Sequence, residues 1–339
     1  MGDQMQSKYD LPENSPNSGP IRVKAIFIHP IKSCAPIELD RGQLTKSGFY
    51  LDRFFAFAIE ANRPESEGGM IWRFISQRTK PLMSQIKTEV WVQQLENDER
   101  DTLAKEARGL DMGNLPSIAA ALPKLKRFLN IPDHQKLTLL RLTPDNLVRT
   151  EKNLAPLEHI GKPAVHGYTD QQPVNINNLA SVHAVSALLP KENQPLNALR
   201  FRANIWVTGA PAFDEDTWKR YRIVPKRGQG VSPKLSVVCR TSRCTMPNVN
   251  PLTGKFDTDI PDGDKKRGRA QPSSTLVEHR TVEDGNPRAL GYLGMHCVPE
   301  NSCFAEASEK GDGVYVQVGD EVEVLERGAH HYGSTGNDY

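Results

Sequence analysis

Residues 21–30, IRVKAIFIHP, set the first constraint on the fold. Val23, Ala25 and Phe27 alternate with Ile26 and Ile28, so an extended chain here is apolar on both faces and must be covered on both. Pro30 has no N–H to donate and ends the ladder. Further strands are expected at RFFAFAIE (53–60), WRFISQ (72–77) and IKTEVWVQQLE (86–96), with Gly68-Gly69 turning the chain between the first two of these. The first third therefore reads as a mainly antiparallel sheet that curls into a barrel or sandwich.

Helical signals are fewer. One helix is expected at 122–130, with Pro123 in its first turn and Leu125, Phe128 and Leu129 on one face. Residues 131–173 read as irregular apart from the strand LTLLRLT. A second helix starts at Asn178 as N-cap, turns Val182, Val185 and Leu189 inward and stops before Pro190. FRANIWVTG (201–209) and LSVVC (235–239) read as strands, and Asp214 as the cap of a short helix carrying Trp218 and Tyr221. Residues 257–287 have the composition of a long mobile loop whose KKRGR run is a solvated face. VYVQVGDEVEVLE (314–326), alternating around Gly319-Asp320, predicts a hairpin. The fold class is α+β, mainly antiparallel β.

Several function classes are excluded. A formal net charge of +2 over 339 residues gives no chain-wide attraction to nucleic acid or anionic membrane. No run of about 18 apolar residues could span a bilayer. Five cysteines, an odd number without framework spacing, point to a reducing compartment and a cytoplasmic protein. Residues 1–20 are polar and read as a disordered leader with neither signal nor transit character. Glycine-rich dinucleotide loops, Walker loops, H-E-x-x-H and G-x-S-x-G are all absent.

Polar groups gather instead where strands end: Lys32-Ser33, Arg53, Arg202 with Asn204, and Ser242-Arg243-Cys244. Cations and hydroxyls brought together at the strand ends of a barrel make a receptor for a phosphate or another anion. On single-residue grounds Arg53 and Arg202 read more simply as salt-bridged surface residues. Cys244 lies beside Arg243 just past a strand, a setting that favours the thiolate and suits a soft or high-valent metal or nucleophilic work, although taken alone it reads more simply as a buried, inert cysteine. The rival is a structural zinc on Cys239, Cys244, Cys297 and Cys303, whose C-x4-C and C-x5-C spacings are loose for that role. His330-His331 sits in a polar tail with no evident role.

HPIKSC, LDRFF, SQRTKP, FRANIWVTG, SRCTMPNVNPLTG and VQVGDEVEVL occur in an order that resembles MOSC-domain proteins, closest to the mitochondrial amidoxime reducing component family. The resemblance spans about residues 21–327. It implies a MOSC N-terminal β-barrel-like domain (21–150) and a MOSC β-barrel domain with flanking helices (151–327), between the disordered leader (1–20) and the polar tail (328–339) read from composition. It also implies a molybdenum cofactor, with Cys244 as the protein ligand to molybdenum. Lys32, Ser33, Arg53, Asp170, Arg202, Asn204, Ser242 and Arg243 would hold the pterin and its phosphate. Pyridoxal phosphate binding comes with the family at its broadest level. Asn250 stands where members have Asp, as a turn residue before Pro251, and Gln171-Gln172 replaces their Thr-Ser. The activity implied is reduction of N-hydroxylated compounds, with electrons from a cytochrome b5-type carrier and its NADH-dependent reductase. A molybdenum cofactor carrier or sulfur-handling module is the alternative. The animal proteins' membrane anchor is missing from these residues, so mitochondrial association rests on the family alone.

Overall fold

The computed structural model describes residues 19–63, 69–90, 115–226, 228, 230–261, 267–283 and 291–331. In chain order the first strands are β1 (Arg22–Ile28), β2 (Ile37–Leu39), β3 (Arg41–Thr45), β4 (Gly48–Phe49), β5 (Phe55–Asn62), β6 (Met70–Phe74), β7 (Leu137–Arg141), β8 (Val148–Arg149) and β9 (Val165–His166). They are followed by β10 (Val174–Asn178), β11 (Ile205–Thr208), β12 (Trp218–Val224), β13 (Lys234–Ser242), β14 (Val249–Asn250), β15 (Lys255–Phe256), β16 (Tyr292–Pro299), β17 (Val314–Gln317) and β18 (Glu321–Arg327). The helices are α1 (Leu115–Phe128), α2 (Leu157–Ile160), α3 (Leu179–Leu188), α4 (Ser273–His279) and α5 (Asn301–Glu309).

A closed barrel runs β11-β10-β16-β13-β12-β18-β1, and the β1–β11 pairing completes the ring; β2 hangs on β1 outside it. All these pairs are antiparallel except β10–β11. The two-faced pattern of β1 has its cause here. Val23, Ile26 and Ile28 join the barrel interior with Trp218, Tyr221 and Cys297, while Ala25 and Phe27 pack outward against α3 and α4. Strict alternation would put Val23 on the same face as Ala25. A register shift between those two residues, a bulge, moves Val23 to the other face. The predicted α+β, mainly antiparallel class is what the structure has.

A smaller sheet, β6-β5-β7, packs its apolar face with α1 around Phe57, Met83 and Leu129. Helix α3 starts as its sequence requires. The Asn178 Oδ1 accepts from Ala180 N at 3.1 Å, and its Nδ2 donates to Pro211 O at 2.7 Å. Asn178→Ala is expected to cost about 1–2 kcal/mol, because it removes the cap and a tether to the next loop. A denaturation midpoint equal to wild type would refute that role.

Several expectations are corrected. Residues 86–90 form no strand, and 91–96 lie outside the described residues, as do Gly68 and residues 1–18. Residues 75–77 leave β6 and turn, and the strand of 201–209 shortens to β11 because Ala198–Phe201 is a 3-10 turn. Helix α1 begins at Leu115, so Pro123 lies inside it and Phe128 is exposed. Trp218 and Tyr221 belong to strand β12, since both are wholly buried in the barrel and a half-exposed short helix could not bury both. The stretch 257–287 contains α4 and a bridge between Thr258 and Ala270, and Arg269 is tied to Asp259 and Glu278; Lys265, Lys266 and residues 284–290 are outside the described residues. The strands around Gly319-Asp320 do not form a hairpin ladder. β17 pairs with β3 and β18 with β12, so the turn passes the chain from one sheet to another. His330 is buried, and its Nε2 lies 2.8 Å from Trp218 O.

Candidate functional site

Strand ends of the barrel converge on one cavity of about 440 Å³. The turn after β1 brings Lys32 and Ser33, and the turn before β5 brings Arg53. The loop before β11 brings Arg202 and Asn204, the end of β13 brings Thr241 to Cys244, and the loop before β10 brings Tyr168 to Gln172. Backbone bonds lock these pieces together. Arg53 N donates to His29 O at 2.8 Å, Lys32 N to Phe55 O at 2.7 Å and Asn204 N to Asn175 O at 2.8 Å. All nine residues singled out from sequence (Lys32, Ser33, Arg53, Asp170, Arg202, Asn204, Ser242, Arg243 and Cys244) line this cavity.

Three of them, Ser33 (φ 68°), Arg53 (φ 47°) and Arg202 (φ 53°), hold the left-handed backbone conformation. For a residue with a Cβ this costs about 1–2 kcal/mol each. Such strain persists where surrounding structure dictates it, and here it falls three times on one cavity wall.

The wall is strongly cationic: Lys32, Arg53, Arg78, Arg200, Arg202 and Arg243 line it, against the single carboxylate of Asp170. Lys32 Nζ donates to Asp170 Oδ1 at 2.7 Å and to Tyr168 O at 2.9 Å. Arg53 is salt-bridged, but to a carboxylate beneath the surface: its Nη1 lies 2.5 Å from Asp52 Oδ2, and Nη2 donates to Arg202 O at 2.8 Å. Burial pushes the Asp52 carboxyl up, yet Arg53 and the His29 contacts outweigh it and hold it well below the usual carboxylate range. The surface reading of Arg202 is corrected. It has no ion pair among the described residues; Nη1 donates to Cys34 O at 2.8 Å, and Nη2 is buried without a partner. Burial and then the neighbouring Arg53 charge push its guanidinium pKa down to about 9. Arg243 is likewise pushed down to about 9 by burial. At about 9 both guanidinium groups keep their charge near neutral pH, but burial makes that charge costly, so an anion entering the cavity relieves the penalty.

Neighbouring residues differ in what they leave for a ligand. Arg243 spends Nε on Leu293 O (2.7 Å) and Nη1 on Phe201 O (2.8 Å), so it builds the wall. Asn204 spends its amide inside the barrel, donating to Phe27 O at 3.1 Å and accepting from Asn175 N at 3.1 Å. Ser33 Oγ is buried without a partner. Cys244 is half-buried at the end of β13, and its sulfur accepts from Met246 N at 3.4 Å; this N–H, rather than Arg243, is its hydrogen-bonding neighbour. Cys239 is a core residue as expected, packed with Val238 and Val298. Asn250 caps its turn, accepting from Leu252 N at 3.0 Å.

Sequence reasoning missed Arg78, Asn175, Arg200, Thr241 and His296, all in the cavity wall. Arg78 had a signal within SQRTKP. The others sit in strands or turns whose facing only the barrel defines. An exposed apolar row that touches the cavity residue Tyr168 through Phe74 was missed too. Met70, Trp72 and Phe74 alternate along β6 and are exposed, and the Phe74 ring meets Tyr168 edge-on at 5.1 Å.

The donor set fits a ligand with an anionic tail and a soft metal: orphaned Ser33 Oγ and Arg202 Nη2 await acceptors, and one accessible sulfur stands at the same cavity. Among the described residues no group of three or more His, Cys, Asp or Glu is placed to hold a metal ion, and Cys239, Cys297 and Cys303 are buried in core clusters.

Comparison with known proteins matches residues 163–323 to the family described as MOSC domain and residues 20–127 to the MOSC N-terminal beta barrel domain. The chain is 27% identical over 283 residues to mitochondrial amidoxime reducing component 2 of Bos taurus, covering 77% of this chain and 73% of that protein. It is also 27% identical over 270 residues to the molybdenum cofactor sulfurase of Caenorhabditis elegans, covering 76% of this chain and 33% of the sulfurase, about a third of its length. Among solved structures, the YUAD protein of Bacillus subtilis is similar with a TM-score of 0.36 and 11% identity, over 90% of this chain and 94% of that one.

Proposed function

Because the chain belongs to the MOSC-domain family and carries that family's N-terminal beta barrel domain as well, we propose that it is a molybdenum-cofactor-dependent oxidoreductase that reduces N-hydroxylated compounds. The observation that carries this reading is the meeting of Cys244 with an under-neutralised cationic wall in one cavity. Ser33, Arg53 and Arg202 would hold the anionic tail of the cofactor, Lys32 with Asp170 would close its mouth, and Cys244 would bind molybdenum. When bound, the cofactor supplies a metal centre that cycles by two electrons and can take an oxygen atom. Overall, the substrate N–O bond breaks, two electrons and two protons are consumed, and N–OH becomes N–H with release of water. The electrons would come from a separate carrier of cytochrome b5 type, served by an NADH-dependent reductase. Among the described residues no helix is long and apolar enough to cross a membrane. The reading places the protein in the cytoplasm or, by the names of its relatives, in association with mitochondria.

Pyridoxal phosphate is less well served, since Lys32, the lysine of the cavity wall, is engaged by Asp170 and Tyr168. The match to a sulfurase favours one second reading, a cofactor carrier without turnover. The deciding experiment measures molybdenum and pterin in protein purified from a cofactor-making host, then turnover of an amidoxime with an artificial electron donor. Cofactor without turnover, together with transfer to an apo-enzyme, favours the carrier; no cofactor at all defeats both readings.

Phe74, packed on the cavity residue Tyr168, should act on apolar substrates. An aromatic contact contributes about 0.5–1.5 kcal/mol beyond area, so Phe74→Ala is expected to raise KM for an aryl amidoxime about 2- to 10-fold. KM for hydroxylamine should stay as it was. Equal changes for both substrates would count against that role.

A further inference from the structure

Proposed from the cofactor reading above and resting on it, one more residue belongs to the ligand contacts. His296 sits on β16 directly across from Asn175 on β10, and its imidazole lines the cavity. It is 8% exposed, and Nδ1 is buried without a hydrogen-bond partner. Its polar neighbours are already committed. Asn175 Nδ2 donates to Thr241 Oγ1 at 2.6 Å, and Asn175 Oδ1 accepts from Arg243 Nη2 at 3.4 Å. A buried nitrogen left without a partner costs free energy that a bound ligand would recover.

We infer that His296 is a contact residue for an uncharged polar edge of the ligand, a ring N–H, ring nitrogen or carbonyl of the pterin, and not for its phosphate. The charge logic supports the division. Burial and then Arg243 oppose protonation of His296; Asp170 acts against them and Arg53 and His166 with them, and the pKa is pushed down to about 3. An uncharged imidazole adds nothing to the attraction for an anion, which the guanidinium groups already supply, but offers one directional hydrogen bond.

The test uses the full chain with two probes, a soluble pterin monophosphate and inorganic phosphate, titrated against cofactor-free protein. His296→Leu fills the volume without a polar atom, and His296→Asn keeps a polar atom near the Nδ1 position. The expected result is an affinity for the pterin monophosphate about tenfold weaker in the Leu variant and within about threefold of wild type in the Asn variant, with phosphate affinity unchanged in both. The Leu variant from a cofactor-making host should also retain less pterin and molybdenum per chain. Pterin binding unchanged by His296→Leu, or a loss equal for both probes, overturns the inference while leaving the cofactor reading intact. A wild-type protein that binds neither probe and carries no molybdenum overturns both. Should the Leu variant fail to fold, the ring nitrogens of His296 in 15N-labelled wild type must shift on adding pterin monophosphate; unmoved resonances sink the contact.

Discussion

Cys244→Ala is expected to reduce turnover of an amidoxime to background while leaving the fold intact. The sulfur is half-buried and takes one hydrogen bond, from Met246 N at 3.4 Å, so its removal costs no more than about 1 kcal/mol. The effect on activity should be out of proportion to that, because alanine has no atom able to bind molybdenum. Cys244→Ser separates softness from hydrogen bonding: its oxygen can accept from Met246 N, yet it is a hard ligand in place of a soft one. Molybdenum content, turnover with an artificial donor and thermal melting should be read together. A molybdenum-loaded alanine variant with wild-type turnover would end the proposed role of Cys244.

Asp52→Ala should produce the largest loss of stability among the residues discussed. The carboxylate is 2% exposed; Oδ1 accepts from His29 N at 2.7 Å, and Oδ2 holds Arg53 Nη1. Removing one partner of a buried pair leaves the other charge uncompensated, at about 3–5 kcal/mol. The loss should reach the cavity as well, since Arg53 braces the left-handed Arg202 through its carbonyl. The pH dependence has a definite sign. Because the Asp52 carboxyl is held well below its usual range in the folded protein, its contribution is fully present above the unfolded carboxylate pKa of about 3.9 and is lost as pH falls below it. The stability difference between wild type and Asp52→Asn should therefore shrink progressively on acidification below about pH 4. A difference that stayed constant down to pH 2 would show that the carboxylate charge is not what stabilises this corner.

Legibility differed by residue. The helix at Asn178 was readable because its cap, its inward stripe and its stop at Pro190 are local signals, and the structure repeats each. Strand β1 was readable for its two buried faces but not for its bulge, which exists only because β11 pairs with it at a shifted register. Trp218 and Tyr221 were misread because Asp214 does start a turn; the 3-10 segment ends at Thr217, and the chain then extends into the barrel. Asp214 is the first residue of that segment and not its cap: Phe213 is the N-cap, without a side-chain cap bond, while the Asp214 carboxylate accepts from Trp218 Nε1 and Arg327 Nη1, and tertiary burial decided what followed.

By itself the sequence determined the residue types of the cavity: a thiol, guanidinium groups, a lysine and hydroxyls placed next to strand ends, in an order that carries the family resemblance. Those identities are covalent facts and survive any error in secondary structure. Only the tertiary structure decided what each has left to offer. Barrel closure consumes the amide of Asn204 and most of Arg243, strands the Nη2 of Arg202 and Oγ of Ser33, and turns His296 into the cavity. Hydrogen-bond capacity is used up by neighbours distant in sequence, so which donors remain free is a property of the closed barrel and of no single segment.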